Sequence, residues 1–169
     1  MEERDLTFIG MGFGNNSNWC KMQERALYHL NCEQVLGYWK DILPLLGRIP
    51  NYFESRTPEY VLERLCKGSL QCWALSNGAV QSIILTEVVT LPEEKVFRFV
   101  GCAGEEFEEF MPILEGGFDG VASTLGCKRF EVVASRKGWS RFLKRLNSNF
   151  EFRYEILSRP VLGRGTHNG

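Results

Sequence analysis

The residues with the clearest potential for binding chemistry are 100–105, which read Val-Gly-Cys-Ala-Gly-Glu. They lie between a strand-like segment and a helical pattern, and α/β layers usually receive a ligand at such a junction. Glu105 ends the run, Glu106, Glu108 and Glu109 follow it, and no lysine or arginine occurs between Glu105 and Lys128. The run therefore predicts a ligand loop whose charge opposes phosphate. The acids also have a purely structural explanation, because carboxylates stabilise a helix N-terminus.

Cysteine chemistry and metal binding are not expected. The six cysteines are scattered and form no Cys-x-x-Cys motif, and the chain has two histidines, so no zinc site is predicted. We expect reduced, mostly buried thiols, as in a reducing compartment. Cys102 lies near a predicted helix start, where a thiol pKa can fall. No histidine has an obvious route to it, however, and the glutamates oppose a thiolate. The cysteines are Cys20, Cys32, Cys66, Cys72, Cys102 and Cys127.

The bulk composition is typical of a soluble globular protein. The chain has 169 residues, of which 44% are hydrophobic and 24% charged, so one domain with a sizeable core is expected. The formal net charge of −1 gives no general attraction to nucleic acid or an anionic membrane. No apolar run approaches the length of a membrane helix, and the first residues lack the order of a signal peptide.

The apolar periodicity predicts ten elements in the order β-α-α-β-β-β-α-β-α-β. Asn31 and Gln34 form a candidate capping box for the first helix, which Pro44 should kink or end. Thr57-Pro58-Glu59 marks the second helix start, and Asn77-Gly78 marks a hairpin turn. The predicted strands are 25–30, 70–75, 79–90, 96–100, 128–134 and 150–161, and the later helices are 107–125, complicated by Pro112, and 139–146. The fold class is thus α+β, with three layers and a mixed, mostly antiparallel central sheet flanked by helices.

The predicted domain covers residues 25–162. Residues 1–24 read as an irregular arm, because glycines and asparagines break any period. The arm is also apolar, so we expect it to pack either on its own domain or on a partner chain. Residues 163–169 are polar and read as a flexible tail.

The element order resembles the GNAT (GCN5-related N-acetyltransferase) superfamily over residues 25–162. Within the domain, Leu125-Gly126-Cys127-Lys128 and Arg136-Lys137-Gly138-Trp139 resemble the small GNAT-like proteins of tailed bacteriophages, as do Trp39 with Pro44, and Thr57-Pro58 with Trp73. The phage resemblance implies a protein of the virion or the host cytoplasm.

The superfamily resemblance implies an acetyl-CoA site and names residues for it. Residues 98–103, Arg-Phe-Val-Gly-Cys-Ala, match the letters of the family's pyrophosphate-binding loop, Gln/Arg-x-x-Gly-x-Gly/Ala. The implied cofactor-binding residues are Gly101, Cys102, Ala103 and Gly104. A base for the acceptor amine would be Glu87 or Glu131, although each has the simpler explanation of a solvent-facing strand carboxylate. The family's acid is a tyrosine on the final helix, where this chain has Leu143.

The acidic loop and the missing tyrosine favour a GNAT-fold protein with a degenerate acetyl-CoA site, serving as a virion-associated structural component. Its expected partners are other phage structural proteins, bound through residues 1–24 or the basic helix Arg136–Arg145. That helix also has a simple explanation as a solvated face, and nucleic acid is the less expected partner. The alternative is an acetyl-CoA-dependent N-acetyltransferase acting on a cationic amine. A third candidate is a binder of host proteins that uses the former cofactor cleft.

Overall fold

The computed structural model describes residues 26–49, 56–76, 79–105 and 117–133, together with residues 141 and 143. Those residues contain a five-stranded sheet in the order β1-β2-β3-β4-β5. The strands are Ala26–Leu30, Gln71–Ser76, Val80–Thr90, Lys95–Gly104 and Arg129–Val132. Neighbours from β1 to β4 are antiparallel, whereas β5 runs parallel to β4. The helices are α1 (Cys32–Gly37), α2 (Trp39–Leu46), α3 (Pro58–Cys66) and α4, residues 117–124.

These elements confirm the predicted fold class. Two apolar cores cover the two sides of the sheet. On the α1–α3 face, Val35, Ile42, Leu46 and Val61 pack against Ile83 and Leu85 of β3, and all six are fully buried. On the α4 face, a second core contains mainly aromatic side chains, namely Trp73, Phe97, Phe99 and Phe118. The sheet is thus enclosed in three layers, and the burial of both faces supplies most of the driving force for folding.

Local sequence signals fix the starts of two helices. The Asn31 side chain accepts a hydrogen bond from the Gln34 N–H at 2.9 Å, and the Gln34 side chain accepts one from the Asn31 N–H at 2.9 Å. This reciprocal pair is the predicted capping box. Thr57 caps α3 in the predicted way, with Pro58 at the first helical position. The helix ends before Gly68, whose φ of +71° suits glycine.

The prediction that Pro44 kinks or ends the first helix is wrong. The break lies earlier, at Tyr38, which separates α1 from α2, and α2 continues past Pro44 to Leu46. Proline removes only one hydrogen bond so close to a helix end. Leu45 and Leu46 are both buried in the core of the α1–α3 face, and this packing holds the last turn in place.

Cys32 and Cys66 form a disulfide between the first residue of α1 and the last residue of α3. The prediction of reduced thiols is wrong for this pair, because the packing of α1 against α3 brings their Cα atoms within 4.3 Å. Cys72, Cys102 and Cys127 are not part of a disulfide. Burial raises the pKa of Cys72 to about 12, so this thiol is unreactive at neutral pH.

Several sequence predictions lie outside the described residues. They are the turn at Asn77-Gly78, the start of the α4 helix near Pro112, the final strand 150–161, the arm 1–24 and the tail 163–169. The strands on either side of the Asn77-Gly78 turn do pair, with Ser76 opposite Val80. Of the predicted helix 139–146, positions 141 and 143 are described and helical.

The indole N–H of Trp73 has a buried hydroxyl as its hydrogen-bond acceptor. It donates to Thr86 Oγ1 at 2.8 Å, and Thr86 is fully buried. We expect Thr86→Val to lower the free energy of unfolding by about 1 kcal/mol, because the isosteric change leaves the indole donor unpaired. Urea denaturation would measure it. Thr90→Val, at the exposed end of β3, is the matched control and should change stability little; equal effects of the two changes would contradict the explanation.

His29 should make the stability of the protein pH-dependent. Its ring packs against Trp73 with the ring centroids 4.9 Å apart, and burial lowers its pKa below the usual 6.5. The unfolded chain therefore binds the proton more readily, so this contribution is complete above about pH 6.5 and is lost as the pH falls toward the folded-state pKa. We expect the wild-type protein to lose more stability than His29→Gln between pH 7.5 and 5.5 in denaturant titrations. Equal losses of stability in the wild type and in His29→Gln over this pH range would rule the effect out.

Candidate functional site

The predicted ligand loop is part of a strand. β4 does not end at Val100 but continues to Gly104, so the prediction of a strand-to-helix loop at residues 100–105 is wrong in its position. Gly101, Cys102 and Ala103 pair with Leu85, Ile84 and Ile83 of β3, and Gly104 pairs with Ser82. Their backbone groups therefore lie in a β-ladder, and the strand reaches its end at Gly104–Glu105.

A β-bulge explains why the sequence pattern misled the strand assignment. Leu85 pairs with Gly101 while the adjacent Thr86 pairs with Phe99, so Val100 is an extra residue in β4. The bulge reverses the alternation of side chains. Phe97 and Phe99 lie in the core of the α4 face, whereas Ala103 lies in the core of the α1–α3 face. Bulges are frequent beside functional sites, because they redirect a strand and leave one residue out of the ladder.

The bulge lies where the described pairing of β4 with β5 ends. The two strands pair from Val96–Arg129 to Phe99–Val132, and a further hydrogen bond runs from the Val133 N–H to the Phe99 carbonyl at 2.9 Å. β4 continues for five more residues, to Gly104. The fork, defined as the edge of β4 from Val100 to Gly104 on the β5 side, begins beside the bulge. We take it as the candidate site.

The far end of the fork is fixed by Ser82. Its Oγ accepts a hydrogen bond from the Glu105 N–H and donates one to the Glu105 carbonyl, both at 3.1 Å. Gly104 lies directly against this hydroxyl with φ +140°, and a Cβ placed there would stand 2.4 Å from Ser82 Cα. β4 can approach β3 this closely only because position 104 has no side chain.

Gly101 makes a second close approach, on the α1–α3 face. A Cβ at Gly101 would stand 2.8 Å from Cγ2 of Ile49, a buried residue just beyond α2. Gly101 thus lets the helical layer pack onto β4 behind the fork. Replacing it would disturb that packing directly, so a loss of binding in a Gly101 variant would not by itself identify a cofactor contact.

Glu87 and Glu131 belong to a chain of alternating charges across the sheet. Glu87 of β3, Arg98 of β4 and Glu131 of β5 are cross-strand neighbours on the α1–α3 face. Arg98 Nη1 lies 3.1 Å from Glu87 Oε1, and Arg98 Nε lies 3.0 Å from Glu131 Oε2. Arg64 engages the other oxygen of Glu87 at 2.9 Å, and Arg129 engages the other oxygen of Glu131 at 3.0 Å. Arg129 also reaches Glu94. We call these six residues the ionic network: Arg64, Glu87, Glu94, Arg98, Arg129 and Glu131.

The ionic network engages both candidate bases, Glu87 and Glu131. All four carboxylate oxygens of Glu87 and Glu131 face a guanidinium group, and their side chains are 18% and 11% exposed. The desolvation that lowers the pKa of Arg98 is outweighed by hydrogen bonds and charges from Glu131 and Glu87, which raise it. A carboxylate held in this way is poorly placed to take a proton from an amine. The arrangement favours a structural role, and the assignment of either glutamate as a base stays a prediction.

The position of the family's tyrosine is part of the apolar core. Leu143 is 6% exposed and clusters with Trp73, Phe97 and Phe118 on the α4 face. It has no proton to give, and its burial gives it a packing role.

The two half-buried free cysteines lie at opposite ends of β4. Cys102 belongs to the fork, whereas Cys127 is next to Lys128, whose N–H bonds to the Lys95 carbonyl at the start of the strand. Burial raises the pKa of Cys127, an effect that Lys95 partly offsets.

Other site types find little support in the part of the chain that the structure describes. There, no three histidine, cysteine or acidic side chains are grouped to hold a metal ion. No described helix is long and apolar enough to span a bilayer. Of the basic helix Arg136–Arg145, the exposed Arg141 and the buried Leu143 are described, so the predicted partner surface lies mostly outside those residues.

No protein-family model and no curated protein sequence matches this chain. Solved structures do match it. An aminoglycoside acetyltransferase from an uncultured soil metagenomic sample, in complex with sisomicin, superposes with a TM-score of 0.63 at 10% identity, over 83% of this chain and 98% of that one. An aminoglycoside N-acetyltransferase in complex with CoA gives 0.59 at 10% identity, over 81% and 95%. A GCN5-related N-acetyltransferase from Ralstonia eutropha gives 0.56 at 14% identity, over 81% and 98%.

At these identities the likeness concerns the fold, and the finer resemblance to phage proteins stays a prediction. The similar structures are acetyltransferases, and each is covered almost completely by this chain. The fold of this protein is that of the GNAT acetyltransferases.

Proposed function

We propose that this protein binds acetyl-CoA along the fork of β4 and transfers the acetyl group to an amine. The observation that carries the proposal is the fork itself. Beside the bulge at Val100, β4 runs five residues beyond its described pairing with β5, and a strand edge of this kind can hydrogen-bond an extended amide-containing ligand. The pantetheine arm of CoA is such a ligand.

The comparisons support the same proposal. Similar folds include an acetyltransferase in complex with CoA and one in complex with the aminoglycoside sisomicin. Glu105, exposed at the end of β4, is followed by Glu106, Glu108 and Glu109 in sequence. Acidic residues that follow the fork in sequence would favour a cationic acceptor.

A second candidate function follows from Leu143. Where the GNAT resemblance implies a tyrosine acid, this chain has a buried leucine, and Glu87 and Glu131 are engaged by arginines. The second candidate is therefore a CoA-binding protein without efficient transfer. A virion-associated role is a version of this candidate, and finding the protein in purified particles would be its direct support.

Cysteine footprinting would test binding at the fork. Cys102 and Cys127 are both half-buried thiols, but Cys102 lies in the fork and Cys127 near the opposite end of β4. We expect saturating acetyl-CoA to slow alkylation of Cys102 by iodoacetamide at least about fivefold, because a site-bound ligand shields it in proportion to occupancy. Alkylation of Cys127 should be unchanged. Mass spectrometry of the digested protein reports both rates in one sample.

The outcomes separate the two candidates. Protection of Cys102 by acetyl-CoA and CoA, but not by ATP, together with CoA release in the presence of polyamines or aminoglycosides, supports the transferase. Protection without CoA release supports binding alone. Equal alkylation of Cys102 with and without acetyl-CoA, alongside an unchanged melting temperature, would rule out both.

A further inference from the structure

The disulfide links the two ends of the helical layer that covers one face of the sheet. Cys32 is the first residue of α1 and Cys66 the last of α3, at a sequence separation of 34. The enclosed segment includes α1, α2, Ile49 and α3, so a single covalent bond joins the beginning of this layer to its end. Both cysteines are half-buried, which leaves them within reach of a small thiol.

The other described cysteines do not compete with this pair for exchange. Cys72 is buried in the core of the α1–α3 face and does not ionise at neutral pH. Cys102 lies against the core of the opposite face, and Cys127 belongs to that side as well. Within the described residues, a small thiol would therefore act on the Cys32–Cys66 bond, and Cys72 on the same face stays protonated and does not reshuffle with it.

The layer tethered by the disulfide reaches the candidate site. Ile49 packs against Gly101, on the α1–α3 face of the fork. Arg64 of α3 bonds to Glu87, which is linked through Arg98 to β5. Ile49 and Arg64 both belong to the segment that the disulfide closes. Loosening this segment would therefore weaken the packing of Ile49 against Gly101 and the ion pair of Arg64 with Glu87.

We propose that Cys32–Cys66 is a reversible redox site whose reduction by low-molecular-weight thiols loosens the α1–α3 layer and weakens ligand binding at the fork. A thiolate attacks one sulfur, forms a mixed disulfide and releases the other cysteine. A second thiol then resolves the mixed disulfide, so that two thiols become one small disulfide and the protein gains two cysteine thiols. The coupling to ligand binding rests on the proposed function, whereas the redox site does not.

Reduction should leave the protein folded. The side chains of Val35, Ile42, Leu46 and Val61 are fully buried in the apolar core, so we expect the layer to keep these contacts. What is lost is the restriction that the bond places on the unfolded chain and on locally opened forms of the layer, so the opened forms become more populated. For a loop of this length we expect a fall in melting temperature of about 10 °C with the transition still cooperative.

The test uses the full chain, air-oxidised and then treated with dithiothreitol. Non-reducing peptide mapping should show the Cys32–Cys66 crosslink before treatment. Hydrogen exchange should then become faster in residues 32–49 and 58–66 of the reduced protein, with little change in β2 and β3, and reoxidation should restore the slow exchange. The double variant Cys32→Ser/Cys66→Ser should exchange as fast as the reduced form, and dithiothreitol should not change its exchange rates. Cys127→Ser, the matched control, should respond as the wild type does.

Acetyl-CoA affinity, measured by calorimetry in both states, tests the coupling. We expect the Kd to rise at least about fivefold on reduction, because the relaxed state is less often competent to bind. Equal affinities in the two states would overturn the coupling while leaving the proposed function intact. Absence of binding in both states would overturn the proposed function, and the exchange data would still decide the redox site. A peptide map without the crosslink, or identical exchange in both states, would overturn the redox site itself.

Discussion

Gly104→Ala is expected to destabilise the protein by at least about 3 kcal/mol. Two independent penalties coincide at this position. Its φ of +140° is one that side chains rarely adopt, and a new Cβ would stand 2.0 Å from Ser82 Oγ and 2.4 Å from Ser82 Cα. The Ser82 Cα is a backbone atom of β3, so no side-chain rotation can remove the clash, and β4 must move away from β3. That movement would also break the bonds between Ser82 and Glu105.

Two other glycines provide matched controls. Gly126 has φ +72° but open space around it, so Gly126→Ala should cost only the backbone term, about 1 kcal/mol. Gly120 lies in α4 with open space, and Gly120→Ala should raise stability by up to about 1 kcal/mol. Urea titration of the three variants would give this order. A Gly104→Ala variant no less stable than Gly126→Ala would show that β4 does not approach β3 as closely as described.

The sequence predicted the elements whose signals are local. The capping box at Asn31 and Gln34, the proline start of α3 and the alternation of Phe130 and Val132 against Arg129 and Glu131 all depend on residues within one turn or one strand of each other. Each appears in the structure as expected. The order of the elements then limits the topology, because consecutive strands usually pair and crossovers follow one hand.

The candidate site was the least predictable part. The bulge at Val100 shifts the period of β4 by one residue, so Gly101 and Ala103 no longer continue the alternation set by Phe97 and Phe99. Nothing in residues 96–104 alone indicates that shift, because it depends on how β4 pairs with β3. Gly101 and Gly104 indicate a loop when only the sequence is considered, because the pairing of β4 with β3 is not visible there. Their actual role is close packing against Ile49 and Ser82.

Long-range pairings were also beyond the sequence. Cys32 and Cys66 are separated by 34 positions and follow no spacing rule, so only the packing of α1 on α3 brings them together. Glu87 and Glu131 were candidate bases because carboxylates on strands can do acid–base chemistry. That Arg98 lies between them depends on the register of β3, β4 and β5, which a pattern of residue types does not encode.

Arg98→Met is expected to lower the free energy of unfolding by about 2–3 kcal/mol. Arg98 is the centre of the ionic network, and its removal leaves Glu87 and Glu131 each with one arginine in place of two. Their side chains are 18% and 11% exposed, so water compensates only in part for the lost partner. Methionine keeps most of the length of the side chain, which limits the loss of packing.

The exposed pair Lys67–Glu63 on α3 is the matched control. Lys67→Met should cost less than about 0.5 kcal/mol, because solvent screens both partners. A double-mutant cycle of Arg98→Met with Glu131→Gln, measured by urea denaturation, should give a coupling of at least about 1 kcal/mol. A coupling near zero would show that the two side chains are close together without stabilising each other.

The effect of Arg98→Met should extend to the fork. Among the described residues, β4 and β5 pair from Val96–Arg129 to Phe99–Val132, and Arg98 joins the two strands one position before the last of these pairs. With the network broken, the last pair should open more often, and hydrogen exchange at the Val133 N–H, which bonds to the Phe99 carbonyl, should become faster than the overall loss of stability alone predicts. If exchange of this amide changes only in step with global unfolding, the network stabilises the sheet as a whole and does not specifically hold β4 and β5 together beside the fork.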